Sequence, residues 1–109
     1  MNKYPGSLFS VAKVNMLNDN NLEIDVNLYN DFGLHARPAA ILAREAQKFS
    51  SDISLLFDGK EVDAKSILDI LTLAAPSGSA LKIKARGEDA REAVNRIKEL
   101  VAGRFEEKN

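Results

Sequence analysis

The chain of 109 residues contains no cysteine and no tryptophan, and its single histidine is His35. Without cysteine there is no disulfide, no thiolate nucleophile and no Cys-ligated metal site. Fifteen basic residues are balanced by sixteen acidic ones, and the net charge of -1 does not favour binding to nucleic acid or anionic lipid. No apolar run approaches the length of a membrane span. We therefore expect one cytoplasmic domain that neither inserts into a membrane nor needs a metal or cofactor.

Hydrophobic periodicity predicts four strands and three helices in the order β-α-β-β-α-β-α. Alternating apolar residues place the strands at residues 22–28, 53–57, 62–64 and 81–85. Apolar spacings of three and four place the helices at residues 36–49, 66–73 and 90–105. The pair Asp58-Gly59 predicts a two-residue hairpin turn between the second and third strands. These elements predict an α+β open-faced β-sandwich, in which helices cover one side of a four-stranded antiparallel sheet.

The first 21 residues carry the weakest pattern. The mildly apolar stretch from Leu8 to Leu17 is interrupted by polar residues and could form a frayed helix, and it fits a signal peptide poorly. Asparagines crowd the segment 18–21, which is typical of a turn. We expect a poorly ordered N-terminal extension over residues 1–21, followed by a folded domain over residues 22–109.

The segment 31–40, DFGLHARPAA, carries the chemistry. Gly33 permits a tight bend, and Pro38 suits the first turn of a helix, so His35 lies where a helix begins. Unpaired backbone N–H groups and the positive dipole end favour an anion there. A neutral imidazole is a nucleophile, and Arg37 can fork onto phosphate oxygens. The segment indicates a phosphoryl group carried on His35, although a lone histidine before a helix is also typical of a cap or a surface residue.

Two blocks of the sequence resemble the HPr family, the histidine phosphocarriers of the bacterial sugar phosphotransferase system. Residues 33–39, GLHARPA, are similar to its active-site signature, and residues 65–68, KSIL, are similar to its regulatory-serine segment. The resemblance covers roughly residues 22–105. It implies that the sheet order is first, fourth, second, third strand.

The resemblance also implies the roles of the site residues. His35 would accept phosphate on Nδ1 from phosphorylated Enzyme I and pass it to an Enzyme IIA. Arg37 would hold the phosphate oxygens, and the amides of Ala36 and Arg37 would complete the anion site. Such a monomeric carrier is a co-substrate of phosphotransferase enzymes and is not itself an enzyme.

The resemblance further implies regulation and a partner surface around the second helix. Ser66 would be phosphorylated by an HPr kinase/phosphorylase, although a serine at this position also suits a simple N-cap. The short helix carries more apolar residues than it can bury, which indicates a surface for protein partners with a positive rim. That surface would comprise Ile67, Leu68, Leu71, Arg44 and Lys65, whose alternative roles are core packing for the apolar residues and a solvated face for the basic ones.

One residue departs from the family pattern, and two paralogue functions stay open. Family members usually carry a small polar residue, often Asn or Ser, where this chain has Phe32, so a side-chain hydrogen bond that could orient the phosphoryl site is absent. The chain could be a binding-only regulatory paralogue or serve a nitrogen-regulatory branch. The presence of His35 argues against the first, and the Ser66 block argues against the second.

Overall fold

The computed structural model describes residues 13–18 and 20–106. The five strands are β1 (Lys13–Asn18), β2 (Asn21–Asn27), β3 (Asp52–Phe57), β4 (Lys60–Asp63) and β5 (Ala80–Arg86). The helices are α1 (Ala36–Ala46), α2 (Ile67–Leu73) and α3 (Ala90–Ala102), and a 3-10 turn follows at Arg104–Glu106.

All five strands form one antiparallel sheet in the order β1-β2-β5-β3-β4. The four predicted strands are β2, β3, β4 and β5, and their order in the sheet is first, fourth, second, third. The predicted α+β open-faced sandwich is confirmed, and β1 extends it by a fifth strand at the β2 edge. The β3–β4 hairpin turn is also confirmed, because Asp58 and Gly59 both have positive φ angles, of 53° and 81°.

The strand β1 corrects the prediction for the N-terminal segment. Residues 13–18 pair with β2 in a hairpin, from Lys13 opposite Asp25 to Asn18 opposite Asn21, and the frayed helix is wrong there. The sequence alternates polar Lys13 and Asn15 with apolar Val14 and Met16, a strand pattern that Leu17 interrupts. The register also shifts between Met16 and Asn18. The predicted disorder of residues 1–12 lies outside the described residues.

The hydrophobic core lies between one face of the sheet and the three helices. Every second residue of β2 and β5 is buried, while the intervening residues are partly or fully exposed. The apolar stripes of α1 and α3 face this layer, and Phe105 closes it with an exposed fraction of 1%. On the opposite face Lys82 pairs with Glu23 and Asp25, each at 3.5 Å. The sheet is therefore covered on one side by helices and carries ion pairs on the other. None of the helices in the described ranges is long and apolar enough to cross a bilayer.

Asp89, the N-cap residue of α3, joins this helix to the loop that follows α1. Its carboxylate accepts hydrogen bonds of 2.9 Å from the backbone N–H groups of Ser50 and Ser51, and a further short one from the Ser51 hydroxyl. The Ser51 hydroxyl is the largest cause that lowers the pKa of Asp89 to about 2, from an ordinary value of 3.8. The charged carboxylate therefore stabilises the fold by linking two segments that are distant in sequence.

Candidate functional site

The loop between β2 and α1 is a closed turn that delivers His35 to the start of the helix. The buried Asn30 side chain donates a hydrogen bond of 2.7 Å from Nδ2 to the carbonyl oxygen of Gly33. The same carbonyl accepts the backbone N–H of His35 at 3.0 Å. The position of His35 is thus fixed by the hydrogen bonds of the turn before it.

Gly33 allows this turn to lie directly against the segment that follows α2. Its φ angle is +69°, and a Cβ atom at this position would lie 2.2 Å from the carbonyl oxygen of Ala75 and 2.7 Å from Cα of Pro76. The next residue, Leu34, donates its backbone N–H to the same Ala75 oxygen at 2.9 Å. Only glycine fits this position, because both the backbone conformation and the close approach exclude a side chain.

His35 is the N-cap residue of α1, but its side chain does not cap the helix. Its backbone is extended, with φ −92° and ψ −170°, and its carbonyl oxygen accepts the N–H of Ala39 at 3.0 Å. The half-buried imidazole makes no capping hydrogen bond. Its Nε2 atom is buried, so Nδ1 is the candidate nucleophile of the ring.

The first turn of α1 is suited to an anion. Ala36 and Arg37 are its first two residues, and their backbone N–H groups have no partner within the helix at these positions. Pro38 has no N–H to offer and is buried as the third residue. No acidic side chain lies in this turn, and the side chain of Arg37 is exposed. The structure therefore brings together His35, Ala36 and Arg37 at a positive helix end, as the sequence predicts.

Phe32 contacts His35 directly, which the sequence did not predict. The two ring centroids are 5.6 Å apart, and the ring planes meet at 87°. The side chain of Phe32 is 76% exposed. At the position where the family resemblance implies a small polar side chain, this chain thus has an aromatic ring that contacts the imidazole. A spacing of three residues across a turn is the only sequence signal for such a contact.

The comparisons with known proteins identify the family. Residues 22–103 match the family model described as "PTS HPr component phosphorylation site". This chain belongs to the HPr family. Phosphocarrier protein HPr of Mycoplasma capricolum is 45% identical over 69 residues, which are 63% of this chain and 78% of the relative. HPr of Xylella fastidiosa is 40% identical over 86 residues, or 79% of this chain and 97% of the relative.

Solved structures agree with this assignment. Crystalline HPr from Thermoanaerobacter tengcongensis has a TM-score of 0.76 and 40% identity, covering 80% of this chain and 98% of that chain. A structure described as an HPr dimer from the same organism has a TM-score of 0.63 at 41% identity, covering 73% and 92%. The HPr-like protein Crh of Bacillus subtilis is 46% identical over 65 residues, which are 60% of this chain and 76% of the relative. The family is thus one of phosphocarrier proteins, and the HPr-like protein Crh is among the relatives.

In this HPr-family chain Ser66 caps α2. Its Oγ atom accepts the backbone N–H of Asp69 at 3.1 Å, and its side chain is half-buried. The N–H of Ser66 donates to the carbonyl oxygen of Asp63 at 3.2 Å. Ser66 therefore serves as the N-cap that its sequence position suits, and its own backbone N–H is satisfied by the carbonyl oxygen of Asp63.

The apolar residues of α2 divide between the core and the surface. Ile70 and Leu73 are buried, whereas Ile67 and Leu68 are exposed by 41% and 74%. Leu71 is partly buried and packs against the core. The short helix therefore presents two large apolar side chains to solvent, and a third lies at their edge.

The predicted basic rim around these residues is less uniform than expected. Arg44 is exposed on α1. Lys65 is half-buried and donates its ammonium group to the carbonyl oxygen of Phe49 at 2.8 Å. Lys48, in the turn after α1, pairs with Glu45 at 2.9 Å. Lys65 therefore also has a structural role that its sequence position does not reveal, since it connects the β4–α2 turn to the turn that follows α1.

Among the described residues there is no cluster of three potential metal ligands.

Proposed function

We propose that this chain carries a phosphoryl group on His35, which it accepts from phosphorylated Enzyme I and passes to an Enzyme IIA. The observation that carries the proposal is the position of His35. It is the N-cap residue of α1, its ring makes no capping hydrogen bond, and it lies next to the amides of Ala36 and Arg37, which have no partner within the helix. Membership of the HPr family supports the same chemistry.

The proposed transfer uses Nδ1 as the nucleophile. Its lone pair forms the new bond to phosphorus while the bond between phosphorus and the donor enzyme breaks, and the donor keeps that electron pair. The buried Nε2 supports this choice of nitrogen. The amides of Ala36 and Arg37, the dipole of α1 and the Arg37 guanidinium would balance the charge on the phosphoryl oxygens.

A carrier needs to hold the group without hydrolysing it. Phosphoryl transfer depends mostly on positioning and on charge stabilisation, so the partner enzymes can supply the remaining catalytic groups. The chain would accordingly act as a cytoplasmic co-substrate. We propose that the chain works as a monomer. Because one relative, from T. tengcongensis, is described as an HPr dimer, the molecular mass of this chain in solution should be measured.

The partner surface is proposed to be the exposed side of α2 with its basic neighbour on α1. Ile67 and Leu68 supply exposed apolar area, and Leu71 borders it. Arg44 supplies an exposed positive charge. Lys65 contributes less charge to this surface, because its ammonium group donates a hydrogen bond to the carbonyl oxygen of Phe49. Apolar contact surrounded by charge is typical of a transient interface with an acidic protein.

We further propose that phosphorylation of Ser66 by an HPr kinase/phosphorylase regulates this docking. Ser66 lies at the start of the helix that carries Ile67 and Leu68, so a phosphate there would place negative charge beside the apolar surface. The helix end can accommodate that charge, because its N–H groups and dipole favour an anion.

The second candidate is a paralogue function, and the similarity to the HPr-like protein Crh, 46% identical over 65 residues, supports a role other than sugar phosphotransfer. Under this alternative the chain would be a binding-only or nitrogen-branch paralogue that responds to Ser66 phosphorylation or to a different phosphotransfer chain. The two functions are distinguished by phosphorylation: a sugar-system carrier is phosphorylated on His35 by Enzyme I, and the paralogue is not.

The experiment that tests the proposal is incubation with Enzyme I and phosphoenolpyruvate, followed by intact-mass measurement. We expect the mass of one phosphoryl group on the chain, and its loss when an Enzyme IIA is added. Arg37→Lys should keep the fold and slow the uptake, because lysine offers a point charge in place of a planar fork. Absence of the mass shift with active Enzyme I would favour the paralogue function.

A further inference from the structure

Phe32 is a large apolar side chain that gains little from burial. It is 76% exposed, yet its ring meets the His35 ring at a centroid distance of 5.6 Å and an angle of 87°. An edge-to-face arrangement at this distance is a favourable aromatic geometry. The aromatic contact of Phe32 is therefore made with His35, the side chain that carries the proposed chemistry.

The backbone between the two rings cannot relax freely. The Asn30 side chain donates to the Gly33 carbonyl at 2.7 Å, and the His35 N–H donates to that same carbonyl at 3.0 Å. Gly33 is also packed against the backbone of Ala75. The turn thus fixes the backbone of Phe32 relative to that of His35. In the observed ring contact, a rotation of the His35 ring would have to displace the Phe32 ring.

We infer that Phe32 is a positioning residue for His35: its ring restrains the imidazole so that Nε2 stays buried and Nδ1 faces the first turn of α1. The inference rests on the proposed function of His35 and goes beyond it by assigning a role to a residue outside the helix-end anion site. The buried state of Nε2 is the second observation that supports it.

Two consequences follow from this restraint. The choice between the ring nitrogens is made by packing, since an unrestrained imidazole can present either nitrogen to a phosphoryl donor. The apolar ring also occupies space beside the phosphoryl site that water would otherwise fill. A phosphoryl group on Nδ1 should therefore survive longer with Phe32 than with a small side chain at this position.

A small chemical donor tests the inference without Enzyme I. Potassium phosphoramidate transfers its phosphoryl group to an imidazole nitrogen: the new N–P bond forms, the P–N bond of the donor breaks, and ammonia leaves with the electron pair. Phosphorus-31 NMR then separates the Nδ1 and Nε2 isomers on the intact protein. The decay of the signal gives the lifetime of the phosphorylated form.

Three variants of the full chain complete the design. Phe32→Ala removes the ring, and Phe32→Tyr restores it. Tyr29→Ala removes another exposed aromatic from the same loop, one that borders a separate hollow with Val26 and Lys98. Because Phe32 and Tyr29 are both largely exposed, thermal melting should show all three variants folded.

We expect the wild-type chain to be phosphorylated mainly on Nδ1. In Phe32→Ala the Nε2 share should rise and the lifetime of the Nδ1 form should fall by about two- to tenfold, the range that loss of one aromatic contact supports. Phe32→Tyr should restore both values, and Tyr29→Ala should match the wild-type chain. An unchanged isomer ratio and lifetime in Phe32→Ala would overturn the inference, as would a wild-type product mainly on Nε2. Failure of Enzyme I to phosphorylate a chain that shows the expected isomer pattern would count against the proposed function alone.

Discussion

The backbone N–H of Leu34 donates a hydrogen bond of 2.9 Å to the carbonyl oxygen of Ala75. This bond joins the loop that presents His35 to the segment that follows α2. Ala74, the C-cap of α2, turns the chain toward this contact in a left-handed conformation, with φ 51° and ψ 36°. The loop that carries His35 is therefore connected through the backbone to the segment after α2, and the site depends on how closely these two segments pack.

Gly33→Ala should disrupt this packing. The new Cβ would lie 2.2 Å from the Ala75 oxygen, so the loop or the segment after α2 must move. Gly59→Ala is the matched control, because its φ is also positive, at +81°, but nothing lies within 4 Å of the added atom. The control should lose about 1–2 kcal/mol through the backbone strain of a left-handed residue. Chemical denaturation should show a larger loss for Gly33→Ala, together with slower phosphorylation of His35. Equal losses in the two variants would contradict the close approach.

Leu68→Asp should weaken the interaction with Enzyme I and leave the fold intact. The side chain is 74% exposed, so the charge adds little cost in the free protein but opposes an apolar interface. Ile70→Ala on the same helix is the contrasting variant, because Ile70 has no exposed area, and we expect a loss of about 2–5 kcal/mol. The interaction of Leu68→Asp with Enzyme I is measured from how the phosphorylation rate depends on the concentration of the chain. The stability of both variants is measured from unfolding curves. Unfolding of Leu68→Asp at ordinary temperature would place that side chain in the core instead.

Variants of Ser66 should distinguish its role as the N-cap of α2 from the effect of negative charge at this position. Ser66→Ala removes the hydrogen bond from the Asp69 N–H and should lower the free energy of unfolding by about 0.5–2 kcal/mol. It should not slow the phosphorylation of His35 by Enzyme I. Ser66→Asp keeps a capping side chain and adds a charge, so it should retain stability while slowing phosphorylation of His35. Phosphoserine carries about −1.5 to −2 charges and should slow the reaction further. If Enzyme I phosphorylated all three forms at the wild-type rate, Ser66 would be a cap and nothing more.

Stability should fall in acid as Asp89 takes up a proton. Because the pKa of Asp89 is lowered in the folded chain to about 2 from 3.8, its contribution is present above pH 4 and is lost as the pH falls towards 2. Asp89→Asn should remove this part of the pH dependence. Ser51→Ala should move the loss to higher pH, since the Ser51 hydroxyl is the largest cause of the lowered pKa. Urea unfolding at a series of pH values measures all three chains. A constant difference in unfolding free energy between wild type and Asp89→Asn from pH 6 to pH 2 would exclude the linkage.

The sequence was sufficient to predict the parts of the fold that depend on local pattern. Alternation in β2 and β5, the Asp58-Gly59 turn and the apolar stripe of α3 each appear within one continuous segment. The position of His35 at a helix start also follows from Gly33 and Pro38. Such features need only neighbouring residues, and the structure agrees with them.

Two of the missed features depend on contacts between segments, and the third depends on side-chain directions within one turn. The strand β1 forms by pairing with β2, and its interrupted alternation conceals it in the sequence. Lys65 donates to the Phe49 carbonyl across 16 positions of the chain, so a basic residue predicted for the rim is partly engaged in the fold. The Phe32–His35 contact depends on the direction of two side chains in a turn, which residue types alone do not determine.

The most direct test of the central claim is to locate the phosphoryl group after incubation with Enzyme I and phosphoenolpyruvate. We expect one group per chain, labile in acid and stable in base as a phosphoramidate is, and mapped to His35 by peptide mass spectrometry. His35→Ala, with a fold verified by thermal melting, should accept none. A His35→Ala chain that still takes up an acid-labile phosphoryl group from Enzyme I would contradict the account.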